Sequence, residues 1–319
     1  MDNTQSVPML SAVRAGEQFC GFAMVRGAER KKTRGGDDYV QFTLQDRGGT
    51  MKVNRWQSSE LLPPGTIVKL AGTGEAFGGE MQLKIDGTKF RVAKPEDEKS
   101  ASDFLPVAPE APEAMMAEVR DTVAAFEDDG LRALVAALLD RAGDDMLAFP
   151  GAKSMHHAEI GGLLHHVTSM LRAAKALVQV YTFLRKDLLF AGVIVHDLGK
   201  MAEMRRDELG LVSEYTAPGR LLGHISLGVA AIGETGRALG VDGETVLMLQ
   251  HMVLSHHGSP DYGSPVRAAF PEAEVLSQLD LLDARLFEMQ AALANVAPGQ
   301  FSGRVWALEN REIYKATKG

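Results

Sequence analysis

His196-Asp197-Leu198-Gly199-Lys200 closes the apolar run Asp187-Leu-Leu-Phe-Ala-Gly-Val-Ile-Val195, and this run predicts a buried helix. A histidine and an aspartate at the end of such a helix are costly to bury unless a partner pairs with both. A divalent metal is one such partner, because neutral imidazole and carboxylate are its usual ligands. A hydrogen-bonded pair in the core is the alternative, and the pentapeptide alone leaves both interpretations open.

The spacing of the pentapeptide also suits chemistry on a phosphate. Successive side chains on a helix fan apart by about 100°. One residue of the His-Asp pair can therefore hold one metal while the two oxygens of its neighbour bridge to a second, roughly 3.5–4 Å away. Gly199 ends the turn, and Lys200 can then reach a phosphate as a point charge.

Composition indicates an ordinary soluble protein with room for two domains. The chain has 319 residues, of which 45% are hydrophobic and 24% charged. Neither a signal peptide nor a membrane span is predicted, because no apolar stretch of about 18 residues and no basic start followed by an apolar one occurs. Cys20 is the only cysteine, which excludes an intrachain disulfide and a cysteine-based zinc site and predicts a cytoplasmic location.

Charge and histidine are both unevenly distributed. The net charge of −8 argues against a protein that coats nucleic acid non-specifically, yet residues 1–94 carry 14 Lys and Arg against 10 Asp and Glu. All nine histidines lie between His156 and His257. This confinement favours a metal site over nine independent packed or solvated side chains.

Residues 16–94 predict β structure, because short runs of apolar and polar residues alternate between pairs of Gly and Pro. Five short strands with one longer interruption at residues 57–64 suit a small Greek-key barrel of the OB type, which we expect over residues 1–94. The predicted strands are Gln18–Arg26, Tyr39–Gln45, Thr50–Trp56, Thr66–Gly72 and Glu80–Ile85, with a further piece near Lys89–Val92.

Barrels of this type often bind single strands on a face that carries aromatic and basic side chains. The alternative is that the aromatic residues form the barrel core and the basic residues are solvated; the positive balance of residues 1–94 favours nucleic-acid contact. The candidates are Arg30, Lys31, Lys32 and Arg34 in the predicted first loop, and Phe42, Lys52, Arg55 and Trp56 on a strand face.

The rest of the chain predicts a linker and then helices. Residues 95–114 are polar and proline-rich, which is typical of a linker. Beyond them the apolar period becomes 3.6, as in Ala114–Phe126 and Leu131–Arg141, with loops expected near residues 145–154, 205–220 and 258–272. We therefore expect a multi-domain protein in which a small all-β barrel precedes an all-α domain over residues 115–319.

Residues of the metal-binding type recur along this helical domain. Some have simpler explanations: His156, His157 and His165 suit solvated or supporting roles, and His251 can orient a ligand one turn away. Asp280 and Asp283 lie three apart on one face of a largely apolar helix, although Asp283 can instead pair with Arg285.

The order His166, His196-Asp197, His224, His256-His257, Asp280 resembles the HD-domain metal phosphohydrolases. The resemblance implies a two-metal site bridged by Asp197, with Lys200 facing the scissile or adjacent phosphate. Mn²⁺ is the expected metal, with Mg²⁺, Co²⁺, Fe and Ni²⁺ open and one or two ions bound. His165 has no counterpart in the pattern, and we assign the first ligand to His166. The implied ligands are His166, His196, Asp197, His224, His256, His257 and Asp280.

Further stretches extend the resemblance over nearly the whole chain, to the YhaM family of 3′–5′ exoribonucleases, in which an OB-type barrel precedes an HD domain. The most distinctive is Ser-His-His-Gly258 followed by Gly263-Ser-Pro265. The stretches are Leu44-Gln-Asp46, Ala191–Lys200, Leu221-Leu-Gly-His-Ile-Ser226, Leu249–Gly258 with Gly263-Ser-Pro265, and Glu309-Asn-Arg-Glu-Ile-Tyr-Lys315.

The resemblance implies a cytoplasmic, metal-dependent 3′–5′ exonuclease that converts single-stranded RNA, and DNA as an open second substrate, to nucleoside 5′-monophosphates. No membrane is expected as a partner, and a homo-oligomer is compatible with the family. One rival is an HD phosphohydrolase of nucleotides or cyclic dinucleotides, which has no need of the barrel. The other is a non-catalytic single-strand-binding protein with a structural metal, which the open ligand set disfavours.

Overall fold

The computed structural model of the chain describes residues 9–33, 35–56, 58–77, 80–100, 103–152, 157, 159–206, 212–294 and 296–318. The chain divides into two compact units, Met1–Val107 and Ala108–Gly319. The division falls inside residues 95–114, the stretch predicted as a linker. Within it, Pro95–Asp97 form a 3₁₀ turn in which Asp97 pairs with Arg91 at 2.7 Å.

The first unit is a closed five-stranded barrel, which confirms the predicted OB-type fold. Its strands are β1 (Gln18–Lys32), β2 (Asp38–Asp46), β3 (Gly49–Trp56), β4 (Ile67–Phe77) and β5 (Glu80–Val92). They pair around the barrel in the order β1-β2-β3-β5-β4, with β3 and β5 parallel and the other pairs antiparallel.

Alternation along β2 and β3 decides which side chains fill the barrel. Phe42 is fully buried opposite Val53 and stacks on Phe90 with 5.1 Å between ring centroids. The prediction that Phe42 contacts nucleic acid is therefore wrong, because its side chain is part of the core. Arg55 lies on the same side of β3 as Val53, and its guanidinium lies 5.1 Å from the centroid of Phe90.

The basic cluster after residue 29 also differs from its prediction. Arg30, Lys31 and Lys32 are not in a loop, because β1 continues to Lys32 and pairs with β2 as far as Asp38. Cross-strand pairing extends the hairpin beyond the point where local composition suggests that it ends. Arg34 lies outside the described residues.

The second unit is helical, as predicted. In the described part of the chain, a two-stranded hairpin lies near the predicted loop at residues 205–220, so this unit is not purely α-helical. The helices are α1 (Pro112–Ala124), α2 (Asp129–Ala142), α3 (Asp145–Ala148), α4 (Gly162–Val180), α5 (Lys186–Val195), α6 (Lys200–Glu203), α7 (Ala217–Leu239), α8 (Gly243–Ser255) and α9 (Pro271–Leu293), and the hairpin strands are β6 (Met204–Arg206) and β7 (Val212–Tyr215).

Helix α5 lies at the centre of this unit. Every residue from Leu188 to Val195 is buried, and the helix packs against α4, α8 and α9. An apolar helix covered on all sides carries the chain from the surface into the core and ends there, which places the following His-Asp pair deep inside the unit. In the described part of the chain, no helix combines the length and apolar character needed to cross a membrane.

Gly72 on β4 tests how tightly the barrel closes. A Cβ at Gly72 would collide with the backbone carbonyl oxygen of Lys84 on β5, whereas a Cβ at Gly27 on β1 would meet nothing within 4 Å. We expect Gly72→Ala to lower the free energy of unfolding of the barrel by roughly 1–3 kcal/mol. Urea unfolding of a Trp306→Phe background, in which Trp56 is the remaining tryptophan, measures this change.

Gly27→Ala in the same background is the matched control and should change the free energy of unfolding by less than about 1 kcal/mol. Equal effects of the two substitutions would show that the close approach of β4 and β5 is not a constraint on the barrel.

Candidate metal centre

The His-Asp pair lies directly after α5. His196 is fully buried and Asp197 is 2% exposed. The ring nitrogen Nδ1 of His196 donates to the carbonyl oxygen of Val193 at 2.8 Å. In a neutral imidazole the other nitrogen, Nε2, then carries a lone pair, and it lies 3.4 Å from Oδ2 of Asp197.

Four further histidines are held in the same way, by an oxygen that accepts a hydrogen bond from Nδ1. For His166 this acceptor is Asp283 Oδ2, at 2.7 Å. A carboxylate or carbonyl on the outer nitrogen is the usual support of a metal-binding histidine, because it fixes the tautomer and the ring orientation. The other acceptors are Glu203 Oε1 for His224 at 3.3 Å, the Val253 carbonyl for His256 at 2.6 Å and the Tyr262 carbonyl for His257 at 2.7 Å.

The Nε2 atoms converge on the two oxygens of Asp197 from two sides. Oδ2 lies 3.4 Å from His196 and 3.9 Å from His166. Oδ1 lies 3.5 Å from His224 and 3.8 Å from His256. The side chains thus form two groups around one carboxylate, and His257 and Asp280 complete them: His257 lies with His224 and His256, and Asp280 Oδ1 is 3.2 Å from Nε2 of His166.

This cluster fits a divalent cation. Among the described residues, Nε2 of His196, His224 and His256 and Oδ1 of Asp197 are buried without a hydrogen-bond partner. Several buried polar atoms without partners are costly. Ligands at about 2.0–2.2 Å from one ion lie roughly 3–3.5 Å apart, close to the separations found here. A divalent ion at this cluster satisfies all four atoms together.

Electrostatics prepare Asp197 and His256 for a cation. Burial alone would raise the pKa of Asp197, but Lys200, His196 and His224 hold it well below its usual range. Burial, together with His196 and His257, lowers the pKa of His256 to about 3. Asp197 is therefore a carboxylate and His256 a neutral ring at neutral pH, which are the forms that bind metals.

Lys200 lies beside the carboxylate. Its Nζ donates to Oδ2 of Asp197 at 2.7 Å and to the carbonyl oxygen of Gly151 at 2.9 Å. The ammonium group is thus held next to the cluster rather than extended into solvent, with its side chain 13% exposed.

A break in α7 positions His224. Gly223 has φ 72° and ψ 159°, a conformation that interrupts the helix and that glycine adopts readily. The backbone N–H of His224 donates to Oε1 of Glu203 at 3.0 Å. The same oxygen accepts from Nδ1 of the His224 ring. Glu203 therefore fixes both the backbone and the imidazole of His224.

Other candidates from the sequence lie apart from the cluster. His165 turns to Glu159, with 2.7 Å between Nδ1 and Oε1, and His251 accepts from the backbone N–H of Ala269 at 3.0 Å. Asp283 does not pair with Arg285, which bonds Glu309 instead. His156 lies outside the described residues.

Sequence reasoning missed the supporting residue Glu203, and it named Asp283 beside Asp280 without its role in holding His166. The spacing of Asp283 three residues after Asp280 was a signal, because it places both carboxylates on one face of α9. Glu203 follows the pentapeptide by one turn but belongs to no recognisable pattern.

The candidate nucleic-acid residues lie on the barrel. Trp56 is 51% exposed, and its ring lies 4.6 Å from that of Tyr39. Lys52 is exposed on the same side of β3. The basic side chains at the end of β1 are paired: Arg30 donates to the carbonyl of Ser59, Lys31 pairs with Gln41 and Glu29, and Lys32 pairs with Asp38. On β3, Arg55 pairs with Glu60.

Comparison with known proteins gives a consistent result. A family model described as the HD domain matches residues 163–285. The chain is 39% identical over 305 residues to a protein of Geobacillus sp. strain WCH70 and 37% identical over 307 residues to one of Bacillus subtilis strain 168. The alignments cover 94% and 95% of this chain and 92% and 96% of the relatives, and both relatives are named 3′–5′ exoribonuclease YhaM.

Glu203→Ala tests whether outer contacts support metal binding. Because Glu203 holds the ring of His224, we expect its loss to weaken the affinity for Mn²⁺ by about 10- to 100-fold. Calorimetric titration of metal-free protein measures the change. Glu214→Ala on β7, which removes an exposed carboxylate paired with Arg205, is the matched control. An unchanged dissociation constant for Glu203→Ala would contradict the supporting role.

Proposed function

The chain belongs to the YhaM family of 3′–5′ exoribonucleases, and we propose from this premise that it hydrolyses single-stranded RNA at the buried metal centre and releases nucleoside 5′-monophosphates. The observation that carries the proposal is the convergence of histidine Nε2 atoms on both oxygens of Asp197. Such a carboxylate, shared between two groups of metal-type ligands, suits the hydrolysis of a phosphodiester.

We assign two metal positions to this centre, with Asp197 shared between them. Mn²⁺ is the first choice for a set of oxygen and nitrogen ligands without cysteine, with Mg²⁺, Co²⁺, Fe and Ni²⁺ as the other candidates. The first position would be held by Asp197 Oδ2, His166, His196 and Asp280, and the second by Asp197 Oδ1, His224, His256 and His257.

The protein side of the reaction follows from the charges around the centre. When bound, a divalent metal supplies an activated water and neutralises charge on the scissile phosphate. Asp197 stays ionised because Lys200 and the histidines surround it. Lys200, held at 2.7 Å from Asp197, places a positive charge where the phosphate backbone of the strand would enter, and it acts as a point charge.

We propose that the barrel binds the strand. Trp56, which is exposed, and Tyr39, which is half-buried, form an aromatic platform on which a base can stack without regard to its identity. Beside the platform, a row of amides crosses three strands: Gln41 donates to Asn54, and Asn54 to Gln82, each at 3.0 Å. Such amides can donate to bases and to the sugar-phosphate backbone.

Three further assignments complete the proposal. Single-stranded DNA is the proposed second substrate, because it has the same phosphodiester linkage and similar bases that can stack on an aromatic ring. A homo-oligomer is supported by Leu282 and Leu286, which are 51% and 55% exposed one turn apart on α9. The cytoplasm is the proposed location, because the lone Cys20 is a free and exposed thiol that suits a reducing compartment.

Asp197→Asn tests the catalytic assignment. We expect it to lower the rate of RNA hydrolysis by at least about 100-fold, because the shared carboxylate is lost. Loss of a supporting contact alone lowers metal affinity or activity by at most about 100-fold. Single-stranded RNA labelled at its 5′ end should shorten from the 3′ end on a gel when it is incubated with Mn²⁺, and it should stay intact with EDTA.

The exposed substitution Asp140→Asn on α2 is the control and should leave the ladder unchanged. Equal ladders from the wild-type protein and a folded Asp197→Asn variant would contradict the proposal. Intact RNA with the wild-type protein and Mn²⁺ would exclude RNA as the substrate.

Trp56→Ala tests the barrel. Stacking of one base on an aromatic ring contributes about 1–3 kcal/mol, so we expect the affinity for single-stranded RNA to fall roughly 5- to 150-fold. The measurement uses fluorescence anisotropy on the full chain carrying Asp197→Asn, which prevents degradation. Phe77→Ala removes another aromatic ring of the barrel, 70% exposed at the end of β4, and should leave the affinity unchanged. Equal losses, or none, would place the RNA elsewhere.

A further inference from the structure

Three metal-type side chains, His157, Glu159 and His165, form a group beside the metal centre, which we call the outer triad. Each offers one ligand atom, and these atoms lie within 4.8 Å of one another. His157 is 2% exposed and Glu159 8% exposed, so two of the three are buried. We propose that the outer triad binds a zinc ion of its own, separate from the metals that act on RNA.

The hydrogen bonds of Asp283 determine which nitrogen of His157 carries its proton. Oδ2 of Asp283 lies 2.7 Å from Nδ1 of His166 and 2.8 Å from Nε2 of His157. An ionised carboxylate only accepts hydrogen bonds, so His157 donates through Nε2 and, as a neutral ring, carries its lone pair on Nδ1.

That lone pair faces a negative charge. Nδ1 of His157 lies 3.7 Å from Oε1 of Glu159. As a carboxylate, Glu159 offers only acceptor oxygens and supplies no proton to this pair. A lone pair and a carboxylate oxygen repel each other unless a cation lies between them. A metal ion is such a cation, and a proton on His157 is the competing one.

His165 supplies the third ligand of this group. Its Nδ1 lies 2.7 Å from the same oxygen, Oε1 of Glu159, and its ring packs edge to face on His157 with 4.6 Å between centroids. Two imidazole nitrogens and one carboxylate oxygen are a common zinc set, with a water completing the tetrahedron. Ligands of one zinc ion lie roughly 3.3 Å apart, a value that the observed 2.7 and 3.7 Å bracket.

The proposed ion would be linked to the catalytic centre through one oxygen. Asp283 supports His157 as it supports His166, which is the outer contact expected of a metal-binding histidine. The carbonyl of His157 also accepts from the backbone N–H of Gly151 at 2.8 Å, and the carbonyl of Gly151 accepts a hydrogen bond from Nζ of Lys200. Zinc in the outer triad would therefore fix the position of Gly151, whose carbonyl oxygen holds Lys200.

Zinc counting tests the proposal directly. Metal-free full-length protein is dialysed against Zn²⁺, washed, and analysed for zinc per chain by mass spectrometry. We expect His165→Gln and Glu159→Gln each to hold one ion per chain fewer than the wild type. His251→Gln is the matched control, because Nε2 of His251 accepts from the backbone N–H of Ala269 rather than facing the outer triad, and it should keep the wild-type count. Equal counts in all four proteins would overturn the proposal.

A second measurement needs no variant, so it decides the matter even if a substitution prevents folding. Crystals of the wild-type protein grown with Zn²⁺ should show an anomalous peak at the zinc edge between the two Nδ1 atoms and Glu159, apart from any peak at Asp197. Peaks at Asp197 with none at the outer triad would overturn the proposal and would assign the compensating charge to a proton on His157. Neither readout depends on RNA hydrolysis, so a failure of the exonuclease assignment would be distinguishable.

Discussion

The rest of the helical unit depends on one buried carboxylate. Asp197 lies 2% exposed among four histidine Nε2 atoms and the ammonium group of Lys200. A charge at this depth is tolerable only because cations or donors surround it, and a divalent metal satisfies the atoms that the protein leaves without partners. Helix α5 is apolar on every side so that it can deliver Asp197 to this position, and each surrounding ring is turned inward by an oxygen on its outer nitrogen.

Much of the fold could be predicted from local patterns. Alternation and paired glycines marked the barrel strands, and the change to a period of 3.6 marked the helical unit. The errors arose where pairing in three dimensions decides the outcome. β1 extends to Lys32 because β2 pairs with it, which no local signal records. Phe42 was assigned to the surface although it lies opposite Val53 inside the barrel, because alternation alone does not say which side faces inward.

The histidines and aspartates that the structure brings together around Asp197 were predicted as one set, because residue types, order and helical context match a known pattern. The contacts that support these ligands were not predictable from the sequence. Asp283 is 117 residues from His166 in sequence, so only the packing of α9 against α4 brings them together. Glu203 reaches His224 because a glycine breaks α7 at the right point. Outer contacts of this kind depend on tertiary structure and leave little trace in a single sequence.

The proposed reaction requires that two metal ions share Asp197, and electron paramagnetic resonance tests this most directly. Metal-free protein is titrated with Mn²⁺, and the spectrum of the bound metal is followed as the two positions fill. Two ions bridged by Asp197 should couple magnetically, so the spectrum of a single Mn²⁺ ion should give way to that of a coupled pair, and Asp197→Asn should abolish the coupling. If the bound ions keep the spectrum of isolated Mn²⁺ at every ratio of metal to protein, two ions do not share Asp197.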